Sequence, residues 1–395
     1  MTKESAGPLD GIRVVDLTQA RAGPTCVRVL ADMGASVIQV VRPGPAQGFE
    51  GGLPSFDREN LHRNKRSVAI DLQTEAGRDV FLRLVRDADV VVENFRPDVK
   101  HRLGIDYETL SAANERLVYG SISGFGQTGP YASRPGVDQI AQGLGGLMSI
   151  TGPPGGGPWR VGIAISDLAA GMFLAHGILA ALLERERSGK GQWVQTSLLE
   201  AMVAMLDFQA TRWLIGREVP PQAGNDHPTL FPMGVFETAD GPINIAASGG
   251  RMWRDFLEVI GRQGLADDER FREPASRARH RDELREACQE ALCQKPSAYW
   301  IEALNAVGVP CGPILSIDQV FEDAQVRHLG LAQAIPSPHF GSLAIVRPPL
   351  TLSRTPASLR QAAPLPGEHT AEVLREIGFE DGEIERLKET GVVAG

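Results

Sequence analysis

Apolar residues along the chain gather in short runs bounded by turn formers, and the first of these, residues 12–17 (IRVVDL), predicts a buried strand. A helical spacing follows over residues 25–33 and stops at Gly34, after which residues 35–41 (ASVIQVV) predict a second strand. The unit repeats with residues 67–72 (SVAIDL), a helix from about 75 to 87, residues 89–93 (DVVVE) and residues 116–122 (RLVYGSI). Strands alternating with helices predict an α/β fold with a mostly parallel, Rossmann-like sheet covered on both faces. Residues 151–158 (TGPPGGGP) are too poor in side chains to pack and read as a linker or lid. A long apolar helix over 168–187, stopped by Ser188-Gly189-Lys190-Gly191, an extended piece at 193–196 and a helix over about 198–214 complete the pattern. The rhythm then changes to a Pro-rich connector, a hairpin over 234–247 turned at Asp240-Gly241, and amphipathic helices from 252 to 306. The expected organisation is therefore a large domain over 1–219, a linker over 220–232 and a smaller α+β domain over 233–339. The last segment, about 340–395, ends helical and is expected to fold back and complete the large domain.

Two domains suit a chain of 395 residues of which 42% are hydrophobic. A net charge of -9 argues against bulk attraction to nucleic acid or an anionic membrane and leaves small molecules as the expected partners. MTKESAGPLDG holds no apolar signal-type stretch, and the longest apolar run, about 168–183, is expected to be too short to span a bilayer, with His176 packed in the core. The expected location is cytoplasmic. Cys26, Cys288, Cys293 and Cys311 show neither metal-clip nor redox spacing and read as reduced thiols.

The βαβ opening invites a dinucleotide, but the turn Thr18-Gln19-Ala20-Arg21-Ala22-Gly23-Pro24 has no G-x-G-x-x-G, and Val41-Arg42 stands where a ribose-binding acid would end the second strand. P-loop, H-E-x-x-H, G-x-S-x-G and Cys/His-cluster signatures are missing as well, so no metal or tightly bound cofactor is expected. What remains is Asp167, behind Ser166 at the head of the apolar helix. Capping explains an acid there, and the helix dipole is expected to hold it ionised, which also makes it a candidate nucleophile.

A larger set of stretches supports that second role. LADMGASVIQVVRPG, HRNKRSVAIDL, VVENFRPDVKHRLGIDYETL, GFGQTGPYASRPGVDQIAQGLGGLMSITG, SGKGQWVQTSLLEA, VPCGPI and GEHT occur in that order. Together they make a chain that resembles the class III coenzyme A transferases, or CaiB/BaiF type. This family includes formyl-CoA:oxalate, carnitine and succinyl-CoA:glutarate transferases and the related α-methylacyl-CoA racemases. The resemblance implies an interlocked homodimer, a large CoA-binding domain and coenzyme A or acyl-CoA as substrate rather than resident cofactor. It makes Asp167 the nucleophile, passing through aspartyl anhydride and aspartyl-CoA thioester intermediates. It implies CoA contacts at Ala20, Arg42, Ile70, Gln73, Asn94, Phe95, Arg102 and Leu103. Lys65 and Arg66 stay open between a phosphate contact and a solvated strand opening.

Departures from the pattern narrow the chemistry. The racemases resembled here carry a histidine where this chain has Val137, between Gly136 and Asp138, and a glutamate near the position of Gly249. Without the histidine, α-proton transfer lacks one of its two bases, so racemisation is the runner-up and a silent CoA-binding protein the third possibility. The four-glycine flap of formyl-CoA transferase is replaced by Gly224-Asn225-Asp226-His227-Pro228, nearer to the dicarboxylate transferases. Arg21, Val137, Asp138 and His227 are the expected substrate-side residues. An arginine at position 21 could hold the distal carboxylate of a dicarboxylic acid by a bidentate contact.

Overall fold

The computed structural model describes residues 7–44, 55–338 and 340–395. They fall into two compact units, the first comprising 1–146, 162–207 and 325–395 and the second 147–161 and 208–324. Residues 208–219 thus pack with the second unit, as does the Pro/Gly loop.

The first unit alternates as its apolar pattern predicts: β1 (Arg13–Asp16), α1 (Ala22–Asp32), β2 (Ser36–Val41), α2 (Phe56–His62), β3 (Lys65–Ile70), α3 (Glu75–Arg86) and β4 (Val90–Glu93). It continues with α4 (Pro97–Leu103), α5 (Tyr107–Ala113), β5 (Val118–Ser123) and α6 (Asp138–Leu144). After α7 (Leu147–Ile150) of the second unit, the chain returns as α8 (Ile165–Ser188), β6 (Trp193–Ser197) and α9 (Leu198–Met205). Short polar caps fix the starts: Thr74 accepts from Gly77 N and Asp106 from Thr109 N, while Gly104 and Gly189 supply left-handed stops. Buried Val15, Val91 and Tyr119 of the strands meet Phe81 and Val85 of α3 in one apolar core.

Strands β1 to β6 are parallel neighbours in the order β3-β2-β1-β4-β5-β6, so the order reverses between β1 and β4. Such a switch point opens a crevice at the carboxyl ends of the strands, and ligands bind there. The last segment does fold back on the first unit: β12 (Val393–Ala394) pairs antiparallel with β3, and the helix Thr370–Glu376 packs against the same core through Val373 and Leu374.

Three expectations change. Helix 198–214 is broken, because Asp207 takes a left-handed φ of 48° between α9 and α10 (Phe208–Leu214). His176 is exposed, not packed in the core. Helix α8, at 24 residues, is longer than the apolar run and, by length and composition, the one helix among the described residues able to cross a bilayer. Half of that window is nevertheless buried, with α8 packed on α1, β5 and β6 as a core helix does.

The second unit is built on β7 (Met233–Glu237), β8 (Pro242–Ala246) and β9 (Cys311–Pro313), an antiparallel sheet whose β7–β8 hairpin turns at Asp240-Gly241 as predicted. Helices between Gly250 and Ala306 cover it with Trp253, Phe256, Leu284 and Trp300. The Pro/Gly loop is clasped: Gln222 Nε2 donates to the carbonyls of Thr151 and Gly157, each at 2.6 Å. A two-stranded ribbon, β10 (Ala332–Ser337) with β11 (Gly341–Val346), belongs to the first unit. All four cysteines are free; burial pushes the thiols of Cys26 and Cys288 up, the latter to about 12, which leaves both inert.

Candidate active site

The switch point is held by one side chain. Asn94, just past β4, accepts from Gln19 N through Oδ1 and donates to Gln19 O through Nδ2, each at 2.8 Å. This two-way bond ties the loops after β1 and β4 together and sets up Ala20, whose φ of 58° turns the chain into α1. Arg21 is the N-cap residue of that helix but caps nothing with its side chain; its guanidinium pairs with Asp57 of α2.

Helix α8 lies close against α1 because Gly171 has no side chain, as a Cβ there would stand 2.6 Å from the carbonyl oxygen of Ala22. One turn earlier is Asp167. It is not the cap: Ala164 is the N-cap residue and makes no side-chain bond, so Asp167 sits inside the first turn. The orphan amide of Ser166 is satisfied from another helix, by Asp138 of α6. Asp138 Oδ1 accepts from Ser166 N at 3.0 Å and Ser166 Oγ at 2.9 Å, and Oδ2 accepts from Gln142 at 2.8 Å. With capping supplied by Asp138, the carboxylate of Asp167 is left for other work.

Burial has the largest influence on the ionisation of Asp167. Burial, reinforced by the negative charge of Asp138, raises its pKa to about 6, and Arg21 pulls the other way. At pH 7 the carboxylate form still prevails by about ten to one, with greater basicity than a free aspartate. The rate of attack on an acyl donor is therefore expected to rise with pH through about 6 and then level off. Asp138→Asn should move that limb to lower pH and Arg21→Ala to higher pH, in kcat/KM profiles for the donor.

The other expected residues differ in their surroundings. Arg42 and Gln73, past β2 and β3, and Arg102 of α4 are exposed and free to meet phosphate. Phe95 and Leu103 are half-buried with one side on the core. Ile70 ends β3 with its side chain 2% exposed, within the core, and its backbone between β2 and β12. Neither basic residue opening β3 is free, since Lys65 is buried on Asp16 and Arg66 is engaged by Glu372 and Glu376. Val137, the N-cap residue of α6, is exposed and has no proton to move. His227 belongs to the second unit, where Nδ1 accepts from the amides of Thr229 and Leu230 and the ring stacks on Phe208. There it lines a cavity of about 660 Å³ with Asn244, Asn305 and Cys311. Asp57 escaped the sequence reading because nothing in the chain order announces an acid reaching Arg21 from 36 residues away. Among the described residues His101, Asp106 and Glu108 stand close enough to share an ion, but Asp106 is already bonded to Thr109.

Comparison with known proteins agrees with this architecture. The family described as CoA-transferase family III matches residues 9–370. A succinate–glutarate CoA-transferase from Agrobacterium fabrum is 39% identical, with 94% of this chain and 96% of that protein covered. An acetyl-CoA:oxalate CoA-transferase from Acetobacter aceti is 40% identical over 79% of this chain and 82% of that protein. The crystal structure of a CaiB/BaiF family protein from Brucella suis superposes with a TM-score of 0.83 at 35% identity, covering 95% of this chain and all of that one. The chain belongs to CoA-transferase family III, and it is an enzyme of that transferase class.

Proposed function

We propose that this enzyme moves CoA from an acyl-CoA donor, succinyl-CoA in the first instance, to a dicarboxylic acid, with Asp167 as the nucleophile. The observation that carries this proposal is a buried carboxylate relieved of capping duty at the head of α8, which packs on the helix that Arg21 begins. Asp167 attacks the thioester carbonyl and the C–S bond breaks, giving an aspartyl-acyl anhydride and CoA thiolate. The thiolate attacks the aspartyl carbonyl, releasing the donor acid as its carboxylate and leaving an aspartyl-CoA thioester. The acceptor carboxylate then attacks that thioester and expels the thiolate, which captures the new acyl group and frees Asp167. Every nucleophile and leaving group is a carboxylate or a thiolate, so no proton moves and no general base is required, provided water is excluded. Arg42, Gln73, Asn94, Phe95, Arg102 and Leu103 are the proposed CoA contacts, together with the main-chain N–H of Ala20.

Racemisation has less support, because exposed Val137 offers no second base. The proposed assembly is an interlocked homodimer, and the apolar side chains of Met172, Phe173 and Leu183 exposed on α8 are consistent with a partner surface there. The proposed partners are an acyl-CoA and a carboxylic acid, and the proposed location is the cytoplasm. Two relatives named for dicarboxylates, the succinate–glutarate transferase and a succinyl-CoA:mesaconate transferase from Haloarcula hispanica at 37% identity, support the acceptor class.

The test is mass-spectrometric detection of new CoA esters from succinyl-CoA or acetyl-CoA with a panel of mono- and dicarboxylic acids. Arg21→Ala is expected to raise KM for dicarboxylates by on the order of tenfold, the loss of a charge-assisted bond, while monocarboxylate acceptors change little. Equal weakening of both acid classes would remove Arg21 from the selectivity assignment.

A further inference from the structure

Lys100 of α4 is only 1% exposed, a rare fate for lysine. Its ammonium donates to Glu93 Oε1 at 3.1 Å, to Gln127 Oε1 at 2.6 Å and to Ser121 Oγ at 3.4 Å, and lies 4.7 Å from the centre of the Trp193 ring. Four segments thus converge on one cation: the end of β4, the body of β5, the loop after β5 and the start of β6.

Two arms lead from this cation toward Asp167. In the first, Glu93 Oε2 accepts from Phe95 N at 2.8 Å, which fixes the turn holding Asn94; Asn94 in turn clamps Gln19, next to Ala20 and Arg21. In the second, Gln127 anchors the loop over 124–136. That loop is closed at its base, since a Cβ on Gly124 would stand 2.7 Å from Gly136 Cα, and it runs directly into Val137 and Asp138, the acceptor of Ser166. The ammonium dictates which end of the Gln127 amide faces it, leaving Nε2 buried with no hydrogen-bond partner. Burying a donor unpaired is unfavourable, so the oxygen is held in place against a local penalty.

We propose that Lys100 is a positioning residue of the transfer reaction, locking through Glu93 and Gln127 the two loops that flank Asp167. This rests on the reading of Asp167 as the nucleophile, although overall turnover reports on it independently. Lys100→Met alone leaves Glu93 buried without its cation, so two other variants carry the test. Gln127→Leu cuts only the second arm, and Lys100→Met with Glu93→Gln cuts both while keeping the charge balance. Both are expected to fold, with circular dichroism and thermal midpoint near the parent. For Gln127→Leu, kcat should fall on the order of 10²-fold, as a misplacement of about 1 Å produces, with KM for the donor little changed. For the double variant, kcat should fall and donor KM rise together, because its first arm also holds Asn94 and Phe95. Adding Gln127→Leu to the double variant should cost nothing more, since that arm is already cut.

A folded Gln127→Leu enzyme with parental kcat would overturn the proposal, and so would losses that multiply in the triple variant. Losses that vanish when the assay is cooled would reduce Lys100 to a stabilising residue. Intact-mass detection of the enzyme–CoA adduct separates the two readings. An adduct missing from the parent counts against Asp167, whereas an adduct formed at the parental rate in both variants counts against Lys100.

Discussion

Asp167→Asn is expected to abolish transfer, lowering kcat by on the order of 10⁴-fold or more, as loss of a covalent nucleophile does. The amide keeps the size and shape of the side chain, and the cap on α8 is untouched because Asp138 supplies it. The parent mixed with acyl-CoA alone should gain mass by a CoA moiety in thioester linkage, and the variant should not. Stability should move the opposite way. Because burial raises the pKa of Asp167 to about 6, the folded chain binds this proton more tightly than the unfolded chain. Its stabilising effect is full below the ordinary aspartate range and is lost as the pH rises through about 6. Asp167→Asn removes the charge that burial penalises, so its thermal midpoint should exceed the parent's at pH 7–8, with the difference shrinking toward pH 4. Wild-type turnover in the variant, or an unchanged mass adduct, would remove Asp167 from the chemistry.

The periodic parts of this chain were legible because burial on both faces leaves a mark in sequence. Runs such as VVVE and SVAIDL became β4 and β3, and glycine stops at Gly34 and Gly189 fell where helices end. Asp167 was legible as an acid at a helix head, but its helix begins two residues earlier, and its cap comes from position 138. A bond between residues 28 apart has no local signature. The same limit explains Ile70 and His176. Ile70 belongs to a stretch expected to meet CoA, and nothing local in it announces that β12 returns from the far end of the chain to pair with it. His176 was placed in the core by the apolarity of its helix, although α8 turns one apolar face outward, with Met172 and Phe173 beside it. Composition does not say which side of such a helix the sheet will take.

The pair Lys65-Arg66 shows what that limit means for energetics, and it carries the second large prediction. In sequence the two are adjacent cations opening a strand; alternation sends their side chains to opposite faces of the sheet. Lys65 reaches Asp16 Oδ2 at 2.8 Å with both side chains fully buried, and Asp16 also accepts from Thr18 N and Oγ1. Arg66 meets Glu372 and Glu376 across the partly exposed face of Thr370–Glu376. Lys65→Met should therefore lower the unfolding free energy of the first unit by about 3–5 kcal/mol, because Asp16 is left buried without its cation. Adding Asp16→Asn should recover most of that loss, since the cost lies in the unpaired charge rather than in the missing contact. Arg66→Ala should cost about 0–1 kcal/mol per pair, with salt reducing the difference further. Urea unfolding followed by far-UV circular dichroism measures all three. A Lys65→Met variant as stable as Arg66→Ala would mean that water reaches Asp16, contrary to its burial, and that the pair does not hold β1 to β3.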